Sequence, residues 1–171
     1  VPGAFMSMIG TSLLNEVVDK EGISEPAGIL NEVREGIIMS LKQKGEQGEQ
    51  KDGMDMSLCA IDTQNNVLEF AGANNALYLV REDGDSLTTT DGQEVPVNLS
   101  ENGYSLYELK PNKMPVGYYP GGKKPFDNHY FKLKKGDAIY SFTDGFADQF
   151  GGPGGKKFKY RPFKRLILSM Q

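Results

Sequence analysis

The sequence predicts an α+β fold in which two amphipathic helices precede a run of antiparallel strands and a closing helix. Apolar residues recur every third or fourth position through residues 5–41, which is the period of an α-helix that packs on one face. From residue 54 onward, short apolar runs alternate with turns that contain Gly, Asp or Asn, as is typical of antiparallel strands. At 171 residues, the chain suits a single domain, residues 1–171, with a sizeable core.

The two N-terminal helices follow from this apolar period and from the residues at their ends. The first has an apolar residue at every fourth position and is closed by Gly22. Its repeating residues are Phe5, Ile9, Leu13 and Val17. The second is predicted to begin with Ser24 as its cap and Pro26 in its first turn, and to end at Gly45.

Strands are predicted wherever short apolar runs lie between turn residues. They occupy residues 54–61, 67–73, 77–80, 87–90, 106–109, 114–116, 128–133 and 138–142. The first four are predicted to form a meander, and the last two a hairpin around the turn at 134–137. Pro162 then starts a final helix that runs through Met170. Residues 45–51 and 151–157 are polar and contain several glycines, so we expect both to be mobile loops.

The charge distribution argues against nucleic acid as the main partner. The net charge is −4, and residues 1–148 carry thirteen basic against twenty-three acidic side chains, a net of −10. The six remaining bases lie beyond Asp148 in a segment without acids, where a solvated surface is the simplest interpretation.

A single cysteine and a single histidine exclude several kinds of site. Cys59 has no second cysteine for an intrachain disulfide or a thiolate cluster, which suits a reducing, cytoplasmic location. His129 cannot form a multi-histidine zinc site, and we interpret it as an ordinary strand residue. Because no apolar run approaches the roughly 20 residues of a bilayer span, we expect no membrane contact by this fragment. Membrane tethering of a longer protein stays open.

Two carboxylates form the candidate functional site. The apolar residues 139–142 run into Thr143-Asp144-Gly145, so that Asp144 follows the end of a strand and Gly145 allows a sharp turn or a close approach to a ligand. Asp148 lies four residues later, and one helical turn would place both acids on the same face. Their oxygens suit a hard cation such as Mg²⁺ or Mn²⁺. The simpler alternative is a β-rich scaffold in which Asp144 only caps a turn.

Two other motifs are weaker. Asp52-Gly53-Met54-Asp55 places two acids at the head of a strand, but it lacks the spacing of a calcium-binding loop, and a plain turn explains it equally well. The glycine run at 151–155 is not a phosphate-binding loop, because only three residues separate its outer glycines and Lys157 stands where Ser or Thr is needed.

Four stretches, in this order along the chain, resemble the bacterial metal-dependent serine/threonine phosphatases of the stage II sporulation protein E type, which are relatives of the type 2C phosphatases. Residues 1–7 resemble the segment that follows Asp-x-x-Gly-His-Gly in that family, and residues 52–62 resemble its next strand. Ala-Gly-Ala-Asn-Asn at 71–75 resembles its Ala-Gly-His-Asn turn, and residues 142–148 resemble its Ser/Thr-Asp-Gly motif. The resemblance covers almost the whole chain.

The resemblance implies an α-β-β-α sandwich of two antiparallel sheets flanked by helices, truncated at both ends. It also implies two Mn²⁺ or Mg²⁺ ions that activate a water for attack on phosphoserine or phosphothreonine. By position, Asp144 with Gly145 belongs to the metal site, and Asp148 is an outer or third-metal acid. Asp55, with Asp52 beside it, falls near a residue that holds a metal-bound water. The bridging Asp would precede residue 1 and the last ligand would follow residue 171, and no individual catalytic residue is assigned.

The implied protein is a phosphatase domain of a bacterial signalling protein. Family resemblance suggests a phosphoprotein substrate, such as an anti-sigma-factor antagonist, and a sensor domain upstream. With part of the metal site missing, we expect the fragment alone to be inactive, and exposed sheet edges would favour a homodimer. The alternative is a non-catalytic domain of the same fold that binds a phosphoprotein or relays a signal.

Overall fold

Helices form the two outer layers of the molecule. The computed structural model describes residues 3–20, 22–46, 52–122, 124–151 and 154–171. Helices α1 (Gly3–Asn15) and α2 (Pro26–Ser40) form the first layer, α3 (Asp144–Ala147) is a single turn, and α4 (Tyr160–Leu168) forms the last layer. A π-helical turn, Glu16–Lys20, extends α1. In the described ranges, no helix has both the length and the apolar character that crossing a membrane requires.

Two antiparallel sheets lie between the helical layers. The strands in chain order are β1 (Gly53–Met54), β2 (Met56–Asp62), β3 (Val67–Ala73), β4 (Leu77–Glu82), β5 (Val97–Glu101), β6 (Tyr104–Leu109), β7 (Val116–Gly117), β8 (His129–Lys132), β9 (Ala138–Tyr140), β10 (Phe150–Gly151) and β11 (Lys156–Lys157). One sheet has the order β2-β3-β8 and the other β5-β6-β4-β9. The short pairs β1-β7 and β10-β11 lie apart from them.

The alternation of side chains along the strands divides the core into three parts. In β4, Leu77 and Leu79 face the core between the two sheets, whereas Tyr78 and Val80 face α4. In β3, Leu68 and Phe70 face the intersheet core, and Ala71 and Ala73 face α1 and α2. Both strands are therefore buried on both faces. The layers run helix, sheet, sheet, helix, which confirms the predicted α-β-β-α sandwich.

The predicted meander is confirmed only in its first pairing, β2 with β3, and the predicted hairpin is wrong. The chain crosses from one sheet to the other between β3 and β4, so β4 pairs with β6 and β9 instead of with β3. It crosses again at residues 134–137, so β8 pairs with β3 and β9 with β4. Turn residues mark a reversal of the chain, but they do not specify which sheet receives the next strand.

A buried ion pair holds the second crossing. Arg81 in β4 donates from Nε and Nη2 to both carboxylate oxygens of Asp137, at 2.8 and 2.7 Å, and each side chain is only 4% exposed. Arg81 also donates to the carbonyls of Ser86 and Lys132, at 2.7 and 2.9 Å. Asp137 accepts a further bond from the backbone N–H of Lys134, at 2.8 Å. One guanidinium thus connects β4, the crossing turn and the end of β8.

Several predicted element ends are also corrected. Glu25, and not Ser24, occupies the cap position of α2, and that helix ends at Ser40, well before Gly45. The predicted strand at 87–90 is reduced to isolated bridges. β5 was not predicted, because its segment has few apolar residues.

The final helix begins two residues before its predicted start, and the two predicted loops are described only in part. α4 begins at Tyr160, with Pro162 in its first turn. Residues 47–51 and 152–153 of the expected mobile loops lie outside the described residues. The strands β10 and β11 pair as a hairpin within the second of these loops, and the mobility of both loops stays a prediction.

Gly72 in β3 is predicted to be sensitive to the smallest substitution. A Cβ at this position would lie 2.5 Å from the carbonyl oxygen of Asn75 and 2.7 Å from the Pro111 ring. Because backbone atoms cannot move away easily, Gly72→Ala should lower the free energy of unfolding by about 1–3 kcal/mol, measured by urea denaturation. Gly151→Ala is the matched control, since a Cβ there meets nothing within 4 Å. Equal stability of the two variants would contradict the close approach.

Candidate active site

The predicted site residues come together at one edge of the sandwich, where β2 begins and β9 ends. The Ser57 hydroxyl in β2 lies 3.2 Å from the Ser141 hydroxyl just after β9, so the two sheets approach each other here. Asp55 immediately precedes β2, and Asp144 follows β9 at the start of α3. The fold therefore brings acids from distant parts of the chain to the same edge.

Asp144 and Asp148 lie one helical turn apart, as predicted. The backbone N–H of Asp148 donates to the carbonyl of Asp144 at 2.8 Å, and the turn begins at Asp144 itself. Thr143 occupies the cap position and makes no side-chain cap bond. Within the described part of the chain, the Asp144 carboxylate has no hydrogen bond or ion pair, and its side chain is exposed. Turn capping by this carboxylate is therefore not observed.

Asp148 already has a cationic partner. The Lys157 ammonium in β11 lies 2.7 Å from Asp148 Oδ1, and the two side chains are 41% and 42% exposed. The hairpin β10-β11 thus extends to the candidate site and offsets the negative charge of Asp148. The carboxylate of Asp144 has no cationic partner among the described residues, whereas that of Asp148 is paired with Lys157.

Gly145 does not make the sharp turn expected of it. It lies inside α3, and it is not among the glycines with positive φ. A Cβ added there would meet only the Thr143 hydroxyl, at 3.4 Å. Backbone geometry therefore does not require glycine here, and the close approach of Gly145 to a ligand stays a prediction.

The two acids of the earlier motif have different surroundings. Asn74 donates from Nδ2 to Asp55 Oδ1 at 2.8 Å, which joins the start of β2 to the crossing after β3. The carbonyl of Asp52 accepts from Nε2 of the buried Gln43 at 2.6 Å. Gln43 in turn accepts from the Tyr118 N–H at 3.1 Å, so the backbone of Asp52 helps to join the segment after α2 to the segment after β7.

Tyr160, the first residue of α4, is a site residue that the sequence did not reveal. Burial, together with the negative charges of Asp144, Asp148 and Asp55, raises the pKa of its phenol. All three acids therefore lie within electrostatic reach of one hydroxyl. Its ring also packs near that of Phe142, with 6.5 Å between centroids. Tyr160 escaped notice because it lies in the basic segment that was interpreted as solvated surface.

The described donors at this edge suit one hydrated cation. Carboxylate oxygens are the ligands that Mg²⁺ and Mn²⁺ prefer, and Mg²⁺ commonly binds through one or two carboxylates while it keeps several waters. Asp144 with Asp148 meets that requirement. Among the described residues, however, no group of three or more His, Cys, Asp or Glu side chains is placed to hold a metal ion. The fit is therefore to a single ion at Asp144.

The fold is that of the phosphatase domains of the PP2C type. The chain is similar to the solved SiaA-PP2C domain of Pseudomonas aeruginosa, with a TM-score of 0.71 and 28% sequence identity, over 98% of this chain and 55% of that one. It thus spans about half the length of that structure. The family model described as Stage II sporulation protein E (SpoIIE) matches residues 1–170, and the chain belongs to this family. Comparison with curated proteins gave no match.

Proposed function

We propose that this chain is part of a metal-dependent protein serine/threonine phosphatase. The observation that carries the proposal is the unpaired carboxylate of Asp144, which lies at the edge where the two sheets meet. Asp55 and Asp148 lie within electrostatic reach of the same phenol. An uncompensated carboxylate at this position is what a site for a divalent cation requires. Membership of the SpoIIE family supports the assignment of the reaction.

Each residue at this edge has a distinct task in the proposed reaction. Asp144 binds the cation directly. Asp148, which is paired with Lys157, adds a second negative charge near the cation. A bound divalent cation would withdraw negative charge from the phosphoryl oxygens of the substrate. The hydroxyl of Tyr160 can donate to an anionic oxygen, and the raised pKa of its phenol favours the protonated form that donates. Asn74 fixes the orientation of Asp55.

The wider biological setting also remains a proposal. The substrate is a phosphoserine or phosphothreonine protein, such as an anti-sigma-factor antagonist, and a sensor domain upstream regulates the reaction. Two copies of the chain pair through exposed sheet edges, and the protein acts in the cytoplasm.

A second candidate function is a non-catalytic domain of the same fold that binds a phosphoprotein. It is favoured by the absence, among the described residues, of a group of three metal-ligating side chains. A comparison of residues 1–171 with the full-length gene product would separate the two functions, because an enzyme requires a complete site and a binding module does not.

We expect residues 1–171 alone to bind at most one Mn²⁺ weakly and to turn over no aryl phosphate. Two dications held close together repel each other unless several carboxylates neutralise them, and the described residues contain no group of three or more side chains placed to hold a metal ion. Titration calorimetry with Mn²⁺ and an aryl phosphatase assay, both repeated with the full-length gene product, measure this. Two tight sites on residues 1–171, or equal turnover by the two proteins, would contradict it.

A further inference from the structure

A cavity of about 460 Å³ opens beside the candidate active site. Residues 74–76, where the chain crosses from β3 to β4, line it together with residues of the loop that follows β6. The rings of Phe142 and Tyr160 also line it. A cavity of this size is adequate for a few side chains of a bound peptide.

The cavity is continuous with the edge that carries the acids. Asn74 lines the cavity and also donates to Asp55. Tyr160 lines the cavity and is within electrostatic reach of Asp144. Phe142, a third lining residue, lies two positions before Asp144 in the chain. A substrate whose phosphate lies at Asp144 would therefore extend into this cavity.

The walls of the cavity carry a net positive charge. Lys110 and Lys113 both line it, both are exposed, and neither has an ion pair in the part of the chain that the structure describes. The one acid of the lining, Glu108, accepts from Lys164 Nζ at 2.8 Å and from Asn98 Nδ2 at 3.1 Å, so its charge is already neutralised. This positive cavity lies in a chain whose first 148 residues have a net charge of −10.

The loop that presents the two lysines is fixed by the residue between them. The Asn112 carbonyl accepts from the N–H of Asn74, and its own N–H donates to the carbonyl of Gly72, both at 2.9 Å. The Asn112 side chain donates to Asp127 Oδ2 at 2.6 Å and accepts from the Asp127 N–H at 3.0 Å. Four hydrogen bonds thus hold the backbone in place, which reduces the entropy that is lost when the lysines bind an anion.

We infer that Lys110 and Lys113 form a subsite for acidic residues that flank the phosphorylated residue of the substrate. This inference rests on the proposed phosphatase function and adds a determinant of specificity to it. The lysines attract carboxylates in the cavity, while the phosphate itself lies at Asp144. Because both lysines are exposed, salt screens the attraction, and the preference for acidic substrates weakens as ionic strength rises.

The test compares two phosphoserine peptides that differ only in flanking Glu residues or flanking Gln residues. With the full-length gene product at low salt, kcat/KM should be about five- to tenfold higher for the acidic peptide. In a variant with both Lys110→Ala and Lys113→Ala, the ratio of the two values should fall to near one. Lys135→Ala is the matched control, because this lysine lies exposed in the turn between β8 and β9, and its ratio should equal that of the wild type. An unchanged ratio in the double variant, or an equal loss on both peptides, would overturn the subsite.

A binding measurement separates the failure of the subsite from the failure of the proposed function. Fluorescence anisotropy of a labelled acidic peptide without phosphate reports binding in the absence of turnover. We expect weaker binding by the double variant than by Lys135→Ala, and the same binding by both would count against the subsite. If this difference is found but no protein releases phosphate, the subsite is retained and the phosphatase function is rejected.

Discussion

In the full-length gene product, Asp144→Asn should reduce kcat/KM for an aryl phosphate by about 100-fold or more. The substitution keeps the shape of the side chain and removes the charge of a carboxylate that pairs with no described residue. The cation would then lose its main anionic ligand, while the fold should be unaffected because this carboxylate makes no hydrogen bond in the described structure. Steady-state kinetics across a range of Mn²⁺ concentrations, with thermal unfolding as a check of folding, measure this result.

Asp148→Asn is the matched control for that substitution. Asp148 shares its charge with Lys157 at 2.7 Å, so its loss should reduce the rate by only about tenfold. Retained activity of Asp144→Asn with unchanged Mn²⁺ dependence would rule out Asp144 as the ligand. Equal losses in the two variants would show that both acids bind the cation directly.

The second large effect is expected on stability. Asp137→Ala should lower the free energy of unfolding by about 3–5 kcal/mol, because it leaves the guanidinium of Arg81 buried without its counter-ion. Arg81 would still donate to two backbone carbonyls, but these cannot balance its charge. The crossing from β8 to β9 would also lose the hydrogen bond that the backbone N–H of Lys134 donates to the Asp137 carboxylate. Urea denaturation followed by circular dichroism measures the change.

Asp85→Ala serves as the control for a surface ion pair. Asp85 pairs with Lys134 at 2.6 Å, and both side chains are about half exposed, so its loss should leave the urea midpoint almost unchanged. If Asp137→Ala were no less stable than Asp85→Ala, the buried pair would not be what holds the two sheets together at this crossing.

The elements that the sequence predicted well are those with a strong local period. β3 was predicted with its observed bounds, and α2 was predicted with Pro26 in its first turn. The sequence did not predict which sheet each strand joins. That assignment depends on pairs such as Arg81 with Asp137, which lie 56 positions apart in the chain. A turn at 134–137 has the same local chemistry whether it closes a hairpin or connects two sheets.

The site was predictable only where the chemistry is local. Asp144 and Asp148 were found because four positions make one helical turn, and the family motif pointed to the same pair. Tyr160 was missed because its role arises from acids on other elements. Lys110 and Lys113 lie in a stretch rich in turn residues, where the apolar residues show no helix or strand period. Only the fold places these lysines in the cavity next to the candidate site.

The most direct test of the proposed function is phosphate release from a phosphoserine peptide by the full-length gene product. The protein would be stripped of metal with a chelator and then assayed with and without added Mn²⁺ or Mg²⁺. The account predicts release that depends on the added cation, saturates with it and is lost in Asp144→Asn. Release that persists without metal, or no release with either cation while the protein stays folded, would contradict it.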